Sequence, residues 1–258
     1  MKKFLTLSFI VLLTMQTTGQ IYTDIKQLKE AGIDINQYPP RDLLNIGIGN
    51  CDLAIIKSAI AKGADVNFHS EGAGTSSVPL CSAIAAAGGV MMPAEYSMIV
   101  SMIRDQGPKV YSGRSVSDLR RDYIEIIRFL LQNGAKTTIP PDSPLEIIPL
   151  LLAAKYRDLE IVRLLLDFKA DPNSRDGMGN TALHVLGQPV AVPYLYKNAP
   201  EIAKLLISKG VKISPDILES TKSSLNIIQS EVASYWRDLP FYNELVNSLK
   251  SLIEIYSK

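Results

Sequence analysis

The sequence has little of the chemistry that metal centres and most active sites use. It contains two histidines, His69 and His184, and two cysteines, Cys51 and Cys81. A protein zinc site needs three or four ligands at workable spacing, and no Cys-His cluster supplies them. No catalytic triad and no Lys-bearing phosphate loop is recognisable either. The sequence therefore predicts no catalytic residue, no metal ligand and no cofactor.

An excess of charge of one sign is also lacking. The chain has 27 Lys and Arg residues against 26 Asp and Glu residues, a formal net charge of +1. Removal of Lys2 and Lys3 with a cleaved leader would change this charge to −1. A nearly neutral protein has no electrostatic basis for binding nucleic acid or an anionic membrane. We therefore expect no nucleic-acid partner.

The apolar run near the start of the chain is too short to cross a membrane. Residues 4–15 follow Lys2 and Lys3 and precede a polar Gln-Thr-Thr-Gly-Gln segment. Twelve residues span about 18 Å as a helix, against the ~30 Å of a bilayer core. This order is typical of a secretory signal peptide, with a buried N-terminal helix as the alternative. We expect cleavage near Gly19 or Gln20, and a periplasmic or secreted protein without membrane insertion.

What the chain does contain is a phrase that recurs after successive helical runs. It ends each run with Gly, a small residue and a polar-apolar-Asn tail, as in GIDIN and GADVN. The second position of the successive copies falls at Ile33, Ala64, Pro108, Ala135, Ala170 and Val211. The intervals are 31, 44, 27, 35 and 41 residues. This drifting period predicts a solenoid of short stacked units.

The runs before these phrases have the spacing of amphipathic helices. Each has apolar residues three or four positions apart, which gives one apolar stripe. The stripes are Leu53, Ile56 and Ile60; Ile124, Ile127, Leu130 and Leu131; Leu159, Val162, Leu165 and Leu166; and Ile202, Leu205 and Leu206. Gly63, Gly134 and Gly210 fit the left-handed residue just past a helix end. Lys169 stands where such a glycine is expected.

Two further motifs resemble the ankyrin repeat family. Its phrase T-P-L-H-x-A-A is matched at 148–154 and, in part, at 78–81 and 181–184, and LEIVRLLL at 159–166 is similar to its second helix. The family unit is about 33 residues, a hairpin loop and two antiparallel helices. The resemblance covers roughly residues 22–214. It implies an all-α, ankyrin-type α-solenoid of stacked helix pairs with hairpin loops and a C-terminal helical cap.

We expect the chain to consist of a signal peptide (1–20), an array (21–214) and a C-terminal helical cap (215–258). The array would hold a half-unit N-cap and about four to five repeats. The cap would consist of helices 216–236 and 241–256, which pack Trp236 and Phe241 against the last repeat.

The segment near 88–121 departs from the repeat pattern. SMIVSMIRDQGPKV matches a second helix and its exit, but YSGRSVSDLRRD does not match a full first helix. The region is therefore either a repeat with a stunted first helix or one repeat with an insertion, before a helix that starts near Asp122. The sequence alone leaves both open.

The repeat register also separates the two thiols. Cys81 falls at the start of a first helix, and Cys51 falls at the turn between the helices of the preceding unit. These places differ by about 9 Å along the helix axis and ~10 Å between stacked helices. A disulfide needs Cα atoms within about 7 Å. We therefore expect two largely buried thiols that are not joined to each other.

The resemblance implies a non-catalytic module that binds a protein or peptide on its concave face and hairpin tips. The corresponding residues in this chain are Arg175, Met178 and Asn180 in one hairpin, Lys155 and Tyr156 on the adjoining helix, and His69 and Glu71 in another hairpin. His184 falls at the family's T-P-L-H position, for which the resemblance implies a structural hydrogen bond. The alternative is an enzyme, or its accessory, with a site formed by the inserts 88–121 and 187–199.

Overall fold

A computed structural model describes residues 34–68, 78–90, 114–138, 147–189, 196–230, 237–238 and 241–258. These residues form α-helices and short 3₁₀ turns, and no β-strand occurs among them. The helices are α1 (Pro40–Gly49), α2 (Leu53–Ala61), α3 (Pro79–Val90), α4 (Val116–Gln132), α5 (Pro149–Lys155), α6 (Leu159–Asp167), α7 (Ala182–Leu186), α8 (Ala199–Ser208), α9 (Pro215–Gln229) and α10 (Tyr242–Tyr256). The predicted all-α class is confirmed.

Short polar side chains and prolines determine where these helices begin. Asp52 precedes α2 and Asp158 precedes α6, and one carboxylate oxygen of each accepts hydrogen bonds from two first-turn N–H groups. Such a cap contributes about 1 kcal/mol to helix stability. Helices α1, α5 and α9 instead begin with proline, whose missing N–H and fixed φ suit the first helical position.

The predicted helix exits are confirmed. Gly63, Gly134 and Gly210 have φ angles of +89°, +88° and +91°. Lys169 stands at the equivalent place after α6 with φ +65°. This left-handed conformation costs a residue with a Cβ about 1–2 kcal/mol, a cost that glycine does not have.

The chain divides into two compact units, residues 1–136 and 137–258. In the first unit, α1 packs on α2, α3 packs on α1 and α4, and α4 reaches α2. The predicted α4 stripe is buried between these helices: Ile124, Ile127, Leu130 and Leu131 are each 5% exposed or less. The described helices of the first unit therefore form two pairs, α1–α2 and α3–α4, laid side by side.

Hydrogen bonds between helix exits show that α4 is the second helix of its pair. Nδ2 of Asn67, after α2, donates to the Gly134 carbonyl, after α4, at 2.9 Å. The Lys136 N–H donates to Oδ1 of Asn67 at 2.8 Å. Helix α3 packs directly on α4 as α1 does on α2. The choice between one repeat with an insertion and a repeat with a stunted first helix depends on residues 91–113, which lie outside the described residues.

The start of α4 differs from the sequence prediction. The helix begins at Val116 rather than near Asp122, because the Ser115 side chain caps it and accepts the Asp118 N–H. The predicted second helix SMIVSMIRDQGPKV lies outside the described residues, as does most of the hairpin after Asn67.

The second unit contains two helix pairs and the terminal helices. Helix α5 packs on α6 and α7, α6 packs on α8, and α7 contacts both α8 and α9. Helix α10 packs on α8, on α9 and on the 3₁₀ turn Tyr196–Asn198. The predicted stripes are buried at Val162, Leu165, Ile202 and Leu206, each at 0% exposure, and half-buried at their edges.

The terminal helices pack on the preceding pair in part as predicted. Phe241 is buried and stacks on the ring of Tyr196, with centroids 5.9 Å apart. Helix α9 ends at Gln229 rather than at residue 236, and Trp236 lies outside the described residues. The predicted boundaries of the signal peptide, the array and the cap remain predictions. None of the described helices combines the length and apolar character that a membrane crossing requires.

Candidate functional site

The hairpin that leads into α7 presents the most exposed apolar side chain among the described residues. Met178 is 81% exposed, with Gly177 and Gly179 on either side. Arg175 is also exposed, and its guanidinium donates to the Gly179 carbonyl at 2.7 Å. Gly179 has φ +81°, which lets the chain turn sharply without a Cβ clash. The hairpin therefore presents a cation and an apolar side chain close together in the chain.

Asp176, which the sequence analysis did not select, holds this hairpin in shape. Its Oδ1 atom accepts the N–H groups of Met178 and Asn180 at 3.0 and 2.8 Å, and its Oδ2 atom accepts Nδ2 of Asn180 at 3.0 Å. Asn180 is half-buried, so its side chain helps to build the hairpin. The sequence did contain a signal for this turn, because Asp176 is followed by Gly177 and an Asp-Gly pair is typical of turns.

Two further predicted residues, Lys155 and Tyr156, lie at the end of α5, a helix that packs on α7. Lys155 is the last residue of α5 and is exposed. Tyr156 is half-buried, and burial raises the pKa of its phenol. Tyr156 therefore acts mainly as a packing residue, and Lys155 is the more open of the two. His69 and Glu71 lie outside the described residues.

Arg157, the next residue, was not selected from the sequence and is the largest fully buried side chain among the described residues. It is 1% exposed and adopts a left-handed conformation with φ +53°. A buried cation requires compensating interactions, because leaving water is costly. Desolvation by the surrounding protein lowers the pKa of its guanidinium.

The guanidinium of Arg157 finds this compensation in carbonyl groups and an aromatic ring. Its NH1 donates to the Lys155 carbonyl at 3.0 Å, and its NH2 donates to the carbonyls of Leu186 and Gln188 at 3.4 and 2.6 Å. The Tyr196 ring lies below it, with 4.4 Å between Cζ and the ring centroid. Nε has no hydrogen-bond partner among the described residues. All of these contacts are with backbone carbonyls and a buried ring of the protein itself, so Arg157 is a structural residue.

His184 forms the structural hydrogen bond that the resemblance implied. The Thr181 N–H donates to its Nδ1 at 3.0 Å. Nε2 must therefore carry the proton of the neutral ring, and it donates to Oδ2 of Asp216 at 2.8 Å. The pKa of Asp216 is lowered to about 2, first by a hydrogen bond from Ser214 and then by the bond from His184. This chain of bonds connects α7 to the start of α9.

The two thiols are buried and are not joined in a disulfide, as predicted. Burial raises the pKa of Cys51 to about 11 and that of Cys81 to about 12. A thiolate is the nucleophilic form of cysteine, so both side chains are protonated and unreactive at neutral pH. They behave as small apolar groups in the core.

The carboxylates at the start of α4 are neutralised by arginines. Arg114 pairs with Asp122, and Arg121 contacts Asp118 at 3.0 Å and Asp122 at 3.4 Å. No group of three or more His, Cys, Asp or Glu side chains in the described part of the chain is arranged to hold a metal ion. This part of the predicted insert 88–121 is thus an ion-paired surface.

A small cleft lies on the second helices, away from the hairpin. It has a volume of about 130 Å³ and lies between α6 and α8. Its lining residues are Arg163, Leu166, Asp167, Leu205 and Lys209. None of the predicted binding residues contributes to it.

One comparison with known protein families matches the part of the chain that includes the hairpin. A family model for ankyrin repeats, in three copies, matches residues 119–217. One ankyrin repeat protein of Acanthamoeba polyphaga mimivirus is 29% identical over 52% of this chain and 22% of its own length. One of fowlpox virus is 24% identical over 52% of this chain and 34% of its own length. A second mimivirus protein is 38% identical over 23% of this chain and 8% of its own length. The chain therefore spans about a third or less of the length of these relatives.

Proposed function

We propose that the chain is a non-catalytic module that binds a protein or peptide, because residues 119–217 match a family model for ankyrin repeats. Ankyrin repeats are in general protein–protein interaction modules and typically have no catalytic activity. The surface that we assign to binding consists of Lys155, Arg175 and Met178 in the second unit, with Tyr156 and Asn180 as its supports. We call it the hairpin surface.

One observation supports the proposal above the others. The hairpin keeps an exposed Met178 and an exposed Arg175 on a backbone fixed by the Asp176 carboxylate. Methionine and arginine are enriched in interface cores. A turn that is already ordered loses less conformational entropy on binding than a flexible one. A rigid hairpin with an apolar side chain open to water is thus suited to recognition.

The charges of the hairpin surface favour one kind of partner. Lys155 and Arg175 are both exposed cations, whereas the Asp176 carboxylate is occupied by hairpin N–H and amide groups. A partner that offers a carboxylate beside an apolar side chain or pocket would match both features. Electrostatic complementarity of this kind favours specificity and rate of association.

The test compares two charge-matched double variants of the full chain. Lys155→Ala with Arg175→Ala removes two cations from the hairpin surface. Arg163→Ala with Lys204→Ala removes two exposed cations from α6 and α8. Immobilised wild-type chain first captures a partner from an envelope extract, mass spectrometry identifies it, and each variant is then titrated with the purified partner.

We expect the hairpin variant to weaken binding at least about tenfold, because two interface contacts of ~1 kcal/mol or more are removed. Met178→Ala should weaken binding by a similar factor. The control should change Kd less than about twofold. Equal losses for the two double variants would place the binding surface elsewhere, and capture of no specific partner would contradict the proposed function itself.

No observation on the described residues favours the alternative of an enzyme site formed by the inserts 88–121 and 187–199. The described carboxylate of the first insert, Asp118, is paired with Arg121, and Asp122 just after the insert is paired with Arg114. In the second insert, the Gln188 carbonyl accepts a hydrogen bond from the Arg157 guanidinium, and Nδ2 of Asn198 donates one to the Arg157 carbonyl.

We also propose that the chain is exported, to the periplasm or outside the cell. Support comes from Lys2, Lys3 and the apolar run at 4–15, which have the order of a signal peptide. Expression of the full chain with a C-terminal tag should yield a processed protein that starts near Gly19 or Gln20. N-terminal sequencing that finds the leader intact on all of the protein would contradict export by this route.

A further inference from the structure

Three residues other than glycine adopt a left-handed conformation in the described part of the chain. They are Cys51 with φ +53°, Arg157 with φ +53° and Lys169 with φ +65°. Lys169 is exposed, while Cys51 and Arg157 are buried. Cys51 lies in the turn between α1 and α2, and Arg157 lies in the turn between α5 and α6. In each case the next helix pair along the chain has a long connection between its two helices. The connections are 91–115, between α3 and α4, and 187–198, between α7 and α8.

Arg157 contacts both ends of the 187–198 connection. At its beginning, the guanidinium donates to the Leu186 and Gln188 carbonyls. At its end, the Tyr196 ring lies under the guanidinium, and Nδ2 of Asn198 donates to the Arg157 carbonyl at 3.1 Å. The two ends of the connection therefore meet at one residue of the preceding turn.

The end held by Arg157 is also fixed to the C-terminal helix. The Ser248 hydroxyl on α10 donates to the Tyr196 carbonyl at 2.9 Å, and Phe241 stacks on the Tyr196 ring. The Lys197 N–H donates to Oε1 of Glu244 at 3.1 Å. Arg157 thus joins the α5–α6 turn to the connection and, through Tyr196, to α10.

Cys51 makes a smaller version of the same arrangement. Its Sγ donates to the Leu119 carbonyl at 3.7 Å, and its own carbonyl accepts from NH1 of Arg114 at 3.4 Å. Both partners lie where the 91–115 connection returns to α4. A thiol is too short to reach further, so only this end is held by the described contacts.

We propose that Arg157 is a clasp, a residue whose side chain fastens both ends of the 187–198 connection to the preceding turn. The position itself favours glycine, because any Cβ is strained at this φ. The strain persists because the guanidinium makes contacts that glycine lacks, which is how strained backbone is retained where a side chain is used. The clasp allows the pair α7–α8 to carry a long connection without separating its helices.

The test exploits the third left-handed residue as a control. Arg157→Gly and Lys169→Gly relieve the same backbone strain, but only Arg157→Gly removes a clasp. In thermal unfolding of the full chain we expect Lys169→Gly to raise Tm by about 1–4 °C. We expect Arg157→Gly to lower Tm by at least about 4 °C. Hydrogen exchange at 187–189 and 196–198 should become at least about tenfold faster in Arg157→Gly and stay unchanged in Lys169→Gly.

Arg157→Lys provides a second variant that keeps the Cβ and the positive charge. A single ammonium group cannot reach the three carbonyls and also stack on the Tyr196 ring, so exchange at 187–189 and 196–198 should be faster in a chain that remains folded. If Arg157→Gly does not fold, exchange in Arg157→Lys decides the question. A rise in Tm for Arg157→Gly like that of Lys169→Gly, or unchanged exchange at these residues in whichever variant folds, would overturn the proposal.

Discussion

The turn between α1 and α2 and the turn between α5 and α6 follow the same backbone path with different side chains. Each has a residue at φ +53°, Cys51 or Arg157. Each continues with an aspartate, Asp52 or Asp158, that caps the second helix through two N–H groups. Because the backbone and cap are the same, the differences between the two turns come from the side chain at the left-handed position.

In both turns the carbonyl of the left-handed residue accepts a side chain from just before the second helix of the next pair. Arg114 reaches the Cys51 carbonyl before α4, and Asn198 reaches the Arg157 carbonyl before α8. This contact is shared, so it belongs to the way that neighbouring pairs stack. The guanidinium adds three carbonyl bonds and a ring contact that the thiol lacks.

The comparison teaches how a repeat array tolerates insertions. The described ends of such connections lie beside the turn of the preceding pair, as Arg114 does beside Cys51 and Asn198 beside Arg157. That turn can hold the connection by its backbone alone or by its side chain as well. The second unit uses both, which explains why a residue as large and polar as Arg157 is buried at 1% exposure.

Removal of the helix caps should cause the largest difference in the free energy of unfolding between variants of the two turns. Asp52→Ala and Asp158→Ala each delete a cap of the same geometry, worth about 1 kcal/mol. Asp158 is 2% exposed, whereas Asp52 is half-buried. We therefore expect Asp158→Ala to cost more, because N–H groups left unbonded in the interior lose more than those near water. Urea unfolding monitored by circular dichroism measures both free energies.

Serine at the same two positions is the control for the cap variants, since it caps nearly as well as aspartate. Asp52→Ser and Asp158→Ser should retain most of the stability lost in the alanine variants. An equal loss for Asp52→Ala and Asp158→Ala would show that burial does not distinguish the turns. A loss in the serine variants as large as in alanine would mean that the carboxylates act through something other than the cap.

Lys169→Gly should have a smaller effect, in the opposite direction. Relief of the left-handed strain gains about 1–2 kcal/mol, and the greater entropy of glycine in the unfolded chain offsets about half of this. We expect a net gain of about 0.5–1 kcal/mol in the free energy of unfolding. Lys169→Ala keeps the Cβ and should give no such gain, and a gain of equal size in that variant would attribute the effect to the lysine side chain rather than to the backbone.

Much of the fold could be predicted from the sequence because its signals are local. The spacing of Ile124, Ile127 and Leu130 predicts one buried face, and these residues are buried. Gly134 predicts the left-handed exit that is observed. The start of α4 was placed too late, because Ser115 as a cap is a local signal that the basic and polar residues around it obscured.

The contacts of Arg157 could not be predicted, because they depend on residues far away in the chain. Its hydrogen-bond partner Gln188 lies 31 positions away, and an Arg before Asp-Leu is typical of an exposed turn. One signal was available: Cys51-Asp52-Leu53 and Arg157-Asp158-Leu159 have the same form at the same place in their units. An apolar cysteine at the first position indicates that this position is buried in both.

The last position of the T-P-L-H phrase should give the smallest difference in stability between the two units. In the first unit it holds Cys81, a buried thiol, and in the second it holds His184, which bonds Asp216 at 2.8 Å. The pKa of Asp216 is lowered to about 2, by Ser214 and then His184, against an ordinary value of about 3.9 for aspartate in an unfolded chain. A depressed folded-state pKa means that this carboxylate stabilises the fold above pH ~4 and that its contribution is lost as the pH falls from ~4 to ~2.

Asp216→Asn should therefore lower the urea midpoint slightly at pH 7 and converge with the wild type near pH 2. The effect should be small, because the Asp216 side chain is 67% exposed and water screens the interaction. Glu219→Gln, three residues further along α9 and also exposed, controls for the loss of a negative charge on this helix. A difference between Asp216→Asn and the wild type that stays constant from pH 7 to pH 2 would show that the ionised carboxylate does not stabilise the link between α7 and α9. Any pH dependence of the urea midpoint would then have to come from other carboxylates. The T-P-L-H position would in that case contribute no pH-dependent stability in either unit.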